Sequence, residues 1–236
     1  MNQSTIPLVL LPAMGCDGQL WARQVVDLGD VAHPELGDLT VDDTLAAMAA
    51  RVLAHAPPRM AVAGVSLGGY VALEMIRQAP DRIARVALFG TRASMAMRPR
   101  TVGEQGLLAT APHADPMLTP IVSGPVQAMA ERVGADVFER QQRALLARPD
   151  LDAAIDAVRV PTLVAVGDRD RICRVEDARA LADRIPGARF HVLRNCGHLS
   201  PMERSGEVTM LLREWLTGSG QAGISPGRPR SDTNTA

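Results

Sequence analysis

The feature that most constrains the fold is an alternation of short apolar runs with longer helical patterns along most of the chain. The apolar runs have the length of strands, and most have the continuous hydrophobicity of strands buried on both faces. They lie at residues 8–11, 31–36, 60–63, 85–89, 162–166 and 189–193, with helical patterns at 19–28, 40–54, 67–78, 175–185 and 205–216. Strands that alternate with helices predict a doubly wound α/β fold with a mostly parallel sheet of about six strands.

One helix carries boundary signals in its sequence. Thr40 is expected to be the N-cap of the helix at 40–54, and Asp42 and Asp43 are expected in its first turn, where carboxylates interact favourably with the helix dipole. Two prolines follow the end of the pattern, as is typical of residues that cannot continue a helix.

Residues 91–158 differ from the rest of the chain. This segment is punctuated by Met, Pro and Gly, and its clearest helical patterns are short, at 125–133 and 135–147. A connection of this length is too long for a simple loop. We therefore expect a helical cap inserted into an α/β core of residues 1–90 and 159–217. The stretch 218–236 is polar and rich in Gly, Pro and Ser, and it is expected to be disordered.

Composition excludes several classes of function. The formal net charge is −1, so no basic surface indicates nucleic-acid binding. All 25 basic residues are arginine, and the absence of lysine excludes Schiff-base and P-loop chemistry. The three cysteines match neither a disulfide framework nor the spacing of a zinc site. We expect no cofactor and no metal.

The hydrophobic runs are too short for a signal peptide or a membrane span. A cytoplasmic location and a small-molecule substrate are therefore expected, without a nucleic-acid or membrane partner. The oligomeric state is not indicated by any feature of the sequence.

A single serine lies between a predicted strand and a predicted helix, in the sequence GVSLGG at residues 64–69. This sequence matches the G-x-S-x-G nucleophile elbow and has the strand-turn-helix context that the elbow requires. Glycine at the flanking positions, Gly64 and Gly68, relieves crowding around a sharp turn, and the N-terminus of the following helix favours an adjacent anion. Ser66 is the candidate nucleophile. The alternative is a glycine-rich turn with an incidental serine.

A serine nucleophile needs a base, and the base needs an orienting acid. Of the five histidines, His198 follows the last predicted strand, in a loop that opens at the same sheet edge as Ser66. His198 is therefore the candidate base. The other four have better structural explanations than catalytic ones: His33, His55, His113 and His191.

Two carboxylates follow the strand at 162–166, in the sequence GDRD at residues 167–170. In α/β folds with this elbow, the acid lies between the serine and the histidine along the chain, and both Asp168 and Asp170 satisfy that order. The residues alone leave both candidates open. The structural alternative for Asp168 is to cap the turn or to pair with Arg169 or Arg171.

Acyl transfer also requires hydrogen-bond donors for the developing oxyanion. One donor is expected to be the backbone N–H of Leu67, the residue after the nucleophile. The second is expected from the loop that follows the first strand, with the sequence LPAMGCD at residues 11–17, and we assign it to the N–H of Met14. Trp21, beyond that loop, is expected to pack in the core rather than to contact substrate.

Four motifs resemble those of the α/β-hydrolase superfamily, in its small esterase-like branch with a helical cap. They are LLPAMGCDGQLW, GVSLGG, PTLVAVGDRDRIC and NCGHLSPMER. The family places the acid three residues after the glycine, so the resemblance implies Asp170 rather than Asp168. It also implies Ser66 as nucleophile and His198 as base, with the two backbone N–H groups assigned above in the oxyanion hole.

The resemblance implies a serine hydrolase that cleaves carboxylic esters of small, largely apolar substrates through an acyl-enzyme. Alternatives on the same triad are a lactonase, a thioesterase, a C–C hydrolase and a cofactor-free perhydrolase, which a fold alone does not separate. A non-catalytic ligand receptor is a further alternative. Dehalogenase and epoxide hydrolase chemistry is disfavoured, because those relatives have aspartate where this chain has Ser66.

Overall fold

The computed structural model describes residues 5–93, 120–148 and 150–219. The strands within them are β1 (Ile6–Leu11), β2 (Ala32–Leu36), β3 (Met60–Val65), β4 (Ile83–Phe89), β5 (Thr162–Gly167) and β6 (Arg189–Leu193). They form one sheet in the order β2-β1-β3-β4-β5-β6, and every neighbouring pair is parallel. The prediction of a parallel α/β sheet of about six strands is confirmed.

Helices connect the strands. In the described ranges they are α1 (Ala22–Asp27), α2 (Leu45–His55), α3 (Leu67–Gln78), α4 (Pro120–Val133), α5 (Ala135–Leu146), α6 (Asp152–Asp156), α7 (Val175–Arg184), α8 (Ser200–Glu203) and α9 (Ser205–Thr217). Short 3-10 helices precede α1 (Gly18–Trp21) and β4 (Pro80–Arg82). The bounds predicted for α3 and β6 match the structure at both ends.

Two hydrophobic cores lie on the two faces of the sheet. Along β1, Val9 and Leu11 belong to one core, and Leu8 and Leu10 belong to the other. Side chains of α2, α3, α5, α6 and α7 complete the first core, and side chains of α1, α4 and α9 complete the second. Because both faces are covered, the central strands have continuous apolar sequences instead of alternating ones.

The order of the strands creates a topological switch point at the carboxyl ends of β1 and β3. These two strands are neighbours, and the helices that follow them pack on opposite faces of the sheet. Ligands of open α/β sheets bind at such a switch point, where two loops leave in opposite directions. The loops that carry Met14 and Ser66 therefore begin side by side.

The predicted N-cap of α2 is wrong by about one turn. The helix begins at Leu45, and the Thr44 hydroxyl accepts a hydrogen bond from the N–H of Ala47 at 3.2 Å. Thr40 is bound locally by Asp38, whose carboxylate accepts from the N–H and the hydroxyl of Thr40 at 2.9 and 2.6 Å. Side chains of this kind compete with the helix for backbone groups, so the two aspartates expected in the first turn precede the helix.

The predicted helix at 19–28 begins as the 3-10 helix and continues directly as α1, and Asp17 caps its start by accepting from the N–H of Gln19. The short helices α6 and α8 were not predicted. α4, α5 and α6 lie in the segment predicted to be a cap, whose residues 94–119 and 149 fall outside the described ranges, as do 220–236 of the tail. The division into core, cap and tail stays a prediction. None of the helices described is long and apolar enough to cross a membrane.

Candidate active site

Ser66 lies at the turn between β3 and α3 in a strained backbone conformation, with φ 52° and ψ −112°. The turn is so tight that a Cβ atom on Gly64 would lie 2.3 Å from the backbone of Gly68. A Cβ atom on Gly68 would lie 2.4 Å from the carbonyl oxygen of Leu11, at the end of β1. These contacts are the physical reason for glycine on both sides of the serine.

The hydrogen bonds of the turn orient the peptide after Ser66. The Ser66 carbonyl oxygen accepts from the N–H groups of Gly69 and Tyr70, at 2.9 and 3.2 Å, inside the first turn of α3. In a trans peptide the C=O and the following N–H point in opposite directions. The N–H of Leu67 is therefore directed out of the helix terminus, where it is one of the N–H groups without an intrahelical partner.

The turn after β1 orients the other assigned donor in the same way. The Ala13 carbonyl oxygen accepts from the N–H of Cys16 at 3.1 Å, and Gly15 has φ +70° in the third position of the turn. The N–H of Met14 belongs to the same peptide as the Ala13 carbonyl, so it points away from the turn. Trp21 anchors the strand below this loop, because its ring N–H donates to the Leu11 carbonyl oxygen at 3.1 Å. Its side chain is fully buried, as expected of a core residue.

His198 and Asp170 form a direct pair. The distance between Nδ1 of His198 and Oδ2 of Asp170 is 2.7 Å, and the two side chains are 11% and 1% exposed. The other carboxylate oxygen, Oδ1, accepts from the N–H groups of Ile172 and Cys173, both at 2.8 Å. A carboxylate that accepts from Nδ1–H leaves the lone pair of a neutral imidazole on Nε2.

Gly90 connects this pair to the serine turn. Ser66 donates its N–H to the carbonyl oxygen of Phe89 at 2.9 Å, and Gly90 follows directly. A Cβ atom on Gly90 would lie 3.0 Å from the His198 ring and 3.1 Å from Oδ2 of Asp170, and the residue has φ +54°. The structure thus places the serine turn and the His198–Asp170 pair against the same segment at the end of β4.

Asp168 lies outside this pair. It is exposed, and its carboxylate accepts from the N–H of Cys196 at 3.2 Å. Desolvation raises the pKa of Asp168, but hydrogen bonds from the Cys196 and Asn195 backbone and the positive charges of Arg169 and Arg194 outweigh it and lower the pKa. The geometry assigns Asp168 a structural contact to the loop of His198, which differs from the expected alternatives of capping its own turn or pairing with Arg169 or Arg171.

A model of the alpha/beta hydrolase family matches residues 8–209 of the sequence. The chain belongs to this family. It is 28% identical over 245 residues to pimeloyl-[acyl-carrier protein] methyl ester esterase of Aromatoleum aromaticum, with 89% of this chain and 98% of that protein covered.

Two solved structures of other proteins are similar to this alpha/beta hydrolase. The thermophilic esterase from Thermogutta terrifontis superposes with a TM-score of 0.76 and 27% identity, covering 90% of each chain. The enol-lactonase from Burkholderia xenovorans LB400 superposes with a TM-score of 0.74 and 25% identity, covering 92% of this chain and 94% of that one. The relatives named here include both esterases and a lactonase.

The remaining histidines of the hydrolase have other partners. A ring nitrogen of His33 lies within hydrogen-bonding distance of Thr5 Oγ1, and one of His55 lies within that distance of the Arg51 carbonyl oxygen. A ring nitrogen of His191 lies within hydrogen-bonding distance of Glu207 Oε1. His113 lies outside the described residues. Among the residues described, no cluster of three or more His, Cys, Asp or Glu side chains could bind a metal ion.

Glu203 was not predicted as a site residue, and its carboxylate contacts the backbone on both sides of His198. It accepts from the N–H of Gly197 at 2.8 Å and from the N–H of Leu199 at 3.1 Å. A Cβ atom on Gly197 would lie 2.9 Å from this carboxylate, so the glycine permits the close approach. The sequence signal for this contact is an acidic residue in the first turn of a helix, five positions after the histidine. A carboxylate at that spacing is close enough to accept hydrogen bonds from the backbone around the histidine.

Proposed function

We propose that the protein is a serine hydrolase of carboxylic esters. In this proposal Ser66 is the nucleophile, His198 is the general base and acid, and Asp170 orients the imidazole. The N–H groups of Met14 and Leu67 form the oxyanion hole. The observation that supports it most is the buried hydrogen bond between His198 and Asp170, beside a serine in the strained turn of a nucleophile elbow.

The geometry supports a two-step reaction. Nε2 of His198 accepts the hydroxyl proton of Ser66 while Oγ bonds to the ester carbonyl carbon, and the resulting oxyanion accepts hydrogen bonds from the two backbone N–H groups. The carbon–oxygen bond to the alcohol then breaks, and the alcohol leaves with the proton from His198. A water molecule attacks the acyl carbon and gives a proton to His198, which returns it to Ser66 as the acid departs.

The relatives support an ester and favour one alternative to it. The similar proteins named esterase act on the proposed bond type, and the methyl ester esterase covers nearly the whole of both chains. The enol-lactonase is 25% identical over most of the chain, and a lactone is an internal ester that the same mechanism opens. We therefore propose small, largely apolar esters as the first substrate class and lactones as the second, without a cofactor.

The test combines a chemical probe with a pair of serine variants. A fluorophosphonate is expected to label the wild-type protein at Ser66, and Ser66→Ala is expected to lose both labelling and hydrolysis of p-nitrophenyl esters by at least about 10³-fold. Ser205→Ala is the matched control, because Ser205 is the first residue of α9 and lies outside the proposed triad. Full hydrolysis by Ser66→Ala would refute the mechanism, and a wild-type protein that neither reacts with the probe nor hydrolyses esters would indicate the ligand receptor.

The substrate class is tested with a panel of short and long p-nitrophenyl esters, methyl esters, lactones and acyl thioesters. The proposal expects the highest kcat/KM for short to medium acyl esters. A preference for lactones by tenfold or more would exchange the first and second substrate classes, and a rate that rises steadily with chain length would contradict the small-substrate proposal.

A further inference from the structure

A buried glutamine joins helix α5 to the loops at the carboxyl edge of the sheet. Gln141 is 1% exposed, and both ends of its side-chain amide are hydrogen bonded. Oε1 accepts from the N–H of Gly15 at 2.8 Å, and Nε2 donates to the carbonyl oxygen of Leu39 at 3.0 Å. The amide therefore bridges the loop after β1 and the loop after β2.

Two further contacts, one from α5 and one from α4, reach the same loops. The guanidinium of Arg140 donates to the carbonyl oxygen of Thr40, at 3.2 and 3.0 Å. Arg132 on α4 forms an ion pair with Asp17 at 2.7 Å, directly after the turn that contains Gly15. These arginine contacts are partly or fully exposed and contribute little stability. Gln141 differs from them because it is buried and because its partner is the turn itself.

The turn bound by Gln141 is the one that presents the Met14 N–H. Gly15 follows Met14, and its N–H belongs to the central peptide of the turn between Ala13 and Cys16. The hydrogen bond from the Gly15 N–H to the side-chain amide of Gln141 restrains this peptide. It therefore restrains the position of the whole turn relative to the strands and to Ser66. We propose that Gln141 is a positioning residue, which acts through the Gly15 N–H to keep the Met14 N–H in the oxyanion hole; this inference rests on the proposed function.

Removing the amide would leave two buried backbone groups without their partners. An unsatisfied buried N–H or carbonyl group costs free energy, so the Gly15 N–H and the Leu39 carbonyl would move toward water or toward other partners. The turn would move with them. Donors stabilise an oxyanion only within about 2.7–3.1 Å, and loss of one donor lowers kcat by about 10²–10³-fold. A displaced donor retains part of its effect, so the expected loss is about 10- to 100-fold in kcat with little change in KM.

The test compares Gln141→Leu with Gln142→Leu, the same substitution at the next, half-buried position of α5. Rates for a p-nitrophenyl ester are divided by the concentration of reactive serine, measured as the end point of fluorophosphonate titration, so that unfolded protein does not contribute. A trifluoromethyl ketone is the second probe, because its adduct with Ser66 carries an oxyanion in the same hole. Gln141→Asn keeps an amide but is one methylene too short to bridge both loops, and it is used if Gln141→Leu does not fold.

The inference expects kcat of the Gln141 variant to fall by about 10- to 100-fold, with KM within threefold and the inhibition constant of the ketone raised by a similar factor. Gln142→Leu is expected to stay within twofold of the wild type. Three results would overturn the inference: an unchanged kcat, an unchanged inhibition constant with a raised KM, or an equal loss in Gln142→Leu. Failure of the proposed function is distinguishable, because the wild-type protein itself would then neither hydrolyse the ester nor react with the fluorophosphonate.

Discussion

Replacing Asp170 by asparagine tests the assignment of the acid, because this carboxylate accepts hydrogen bonds at both oxygens. Oδ2 accepts from His198 at 2.7 Å, and Oδ1 accepts from the N–H groups of Ile172 and Cys173 at 2.8 Å each. An asparagine side chain has one acceptor oxygen and one NH2 group, so it cannot accept at both positions. The question is which position receives the oxygen.

The number of donors decides the orientation of the amide. With its oxygen toward Ile172 and Cys173, Asn keeps two hydrogen bonds and turns its NH2 group toward His198, whose Nδ1 must then accept. The ring proton is forced onto Nε2, and the histidine can no longer act as a base. The opposite orientation leaves two buried N–H groups facing an NH2 group, at a free-energy cost of about 1.5–3 kcal/mol. The productive tautomer is thus populated to about one tenth or less.

Loss of the carboxylate charge adds to this effect. A hydrogen bond to a charged group contributes about 1.5–3 kcal/mol, and the charge of Asp170 stabilises the imidazolium that forms in the transition state. The two effects together raise the activation free energy by about 3–6 kcal/mol, which corresponds to a loss of about 10²- to 10⁴-fold in kcat.

The assay is kcat for a p-nitrophenyl ester near neutral pH, with the melting temperature of each variant measured in parallel. Asp168→Asn is the matched control, since the same chemical change two residues earlier keeps an oxygen that can accept from the Cys196 N–H. Its kcat is expected to stay within about threefold of the wild type. An Asp170→Asn protein with more than a tenth of the wild-type kcat, or an Asp168→Asn protein with an equal loss, would refute the reasoning.

Two further predictions concern stability. Gly68→Ala would place Cβ 2.4 Å from the Leu11 carbonyl oxygen and is expected to lower the free energy of unfolding by about 3 kcal/mol. Gly206→Ala in helix α9 is the matched change, because its Cβ would meet no described atom within 4 Å apart from its chain neighbours and the helix backbone, and it is expected to raise the free energy of unfolding by about 0.4–1 kcal/mol. Urea titration of both variants is the measurement, and equal effects would contradict the steric account. Burial raises the pKa of the Cys16 and Cys196 thiols from 9.0 to about 12, so the unfolded chain loses these protons at a lower pH than the native protein, and stability falls as pH rises above about 9. The loss by pH 10 is expected to be about 1.4 kcal/mol for each thiol, with a smaller drop in Cys16→Ala, and an unfolding free energy that is the same at pH 8 and pH 10 would exclude it.

Local sequence signals predicted the four central strands well, because β1, β3, β4 and β5 are largely buried and each is a short, mostly apolar run. Even the weakest run predicted, at 31–36, is a strand, β2. The start of α2 was wrong because Thr40 and Thr44 are equally good caps by residue type, and the contact that separates them is the carboxylate of Asp38. Competition between two short-range hydrogen bonds is not visible in residue type alone.

The candidate site likewise contains residues that local sequence signals indicate and one residue whose role depends on tertiary contacts. Ser66 and His198 lie on loops whose order and position follow from the fold, so both could be named from the sequence. The fold order left Asp168 and Asp170 open, the family resemblance implied Asp170, and the structure places Asp170 in contact with His198. Gln141 was not predicted because its two partners are backbone groups, and a backbone N–H or C=O leaves no trace in the sequence. Glutamine on an amphipathic helix usually faces solvent, and only the packing of α5 on the loops reverses that expectation.

The adjacency of β4 and β5 has a consequence for how such a chain can be altered. The two strands are hydrogen-bonded, parallel neighbours, with Phe89 beside Ala165, so the long segment between them leaves the sheet at its carboxyl edge and returns to the amino edge before Thr162. A crossover between parallel strands needs only about a dozen residues. Sequence beyond that minimum can change in length without displacing the strands that carry the candidate site, provided that a substitute for the amide of Gln141 remains.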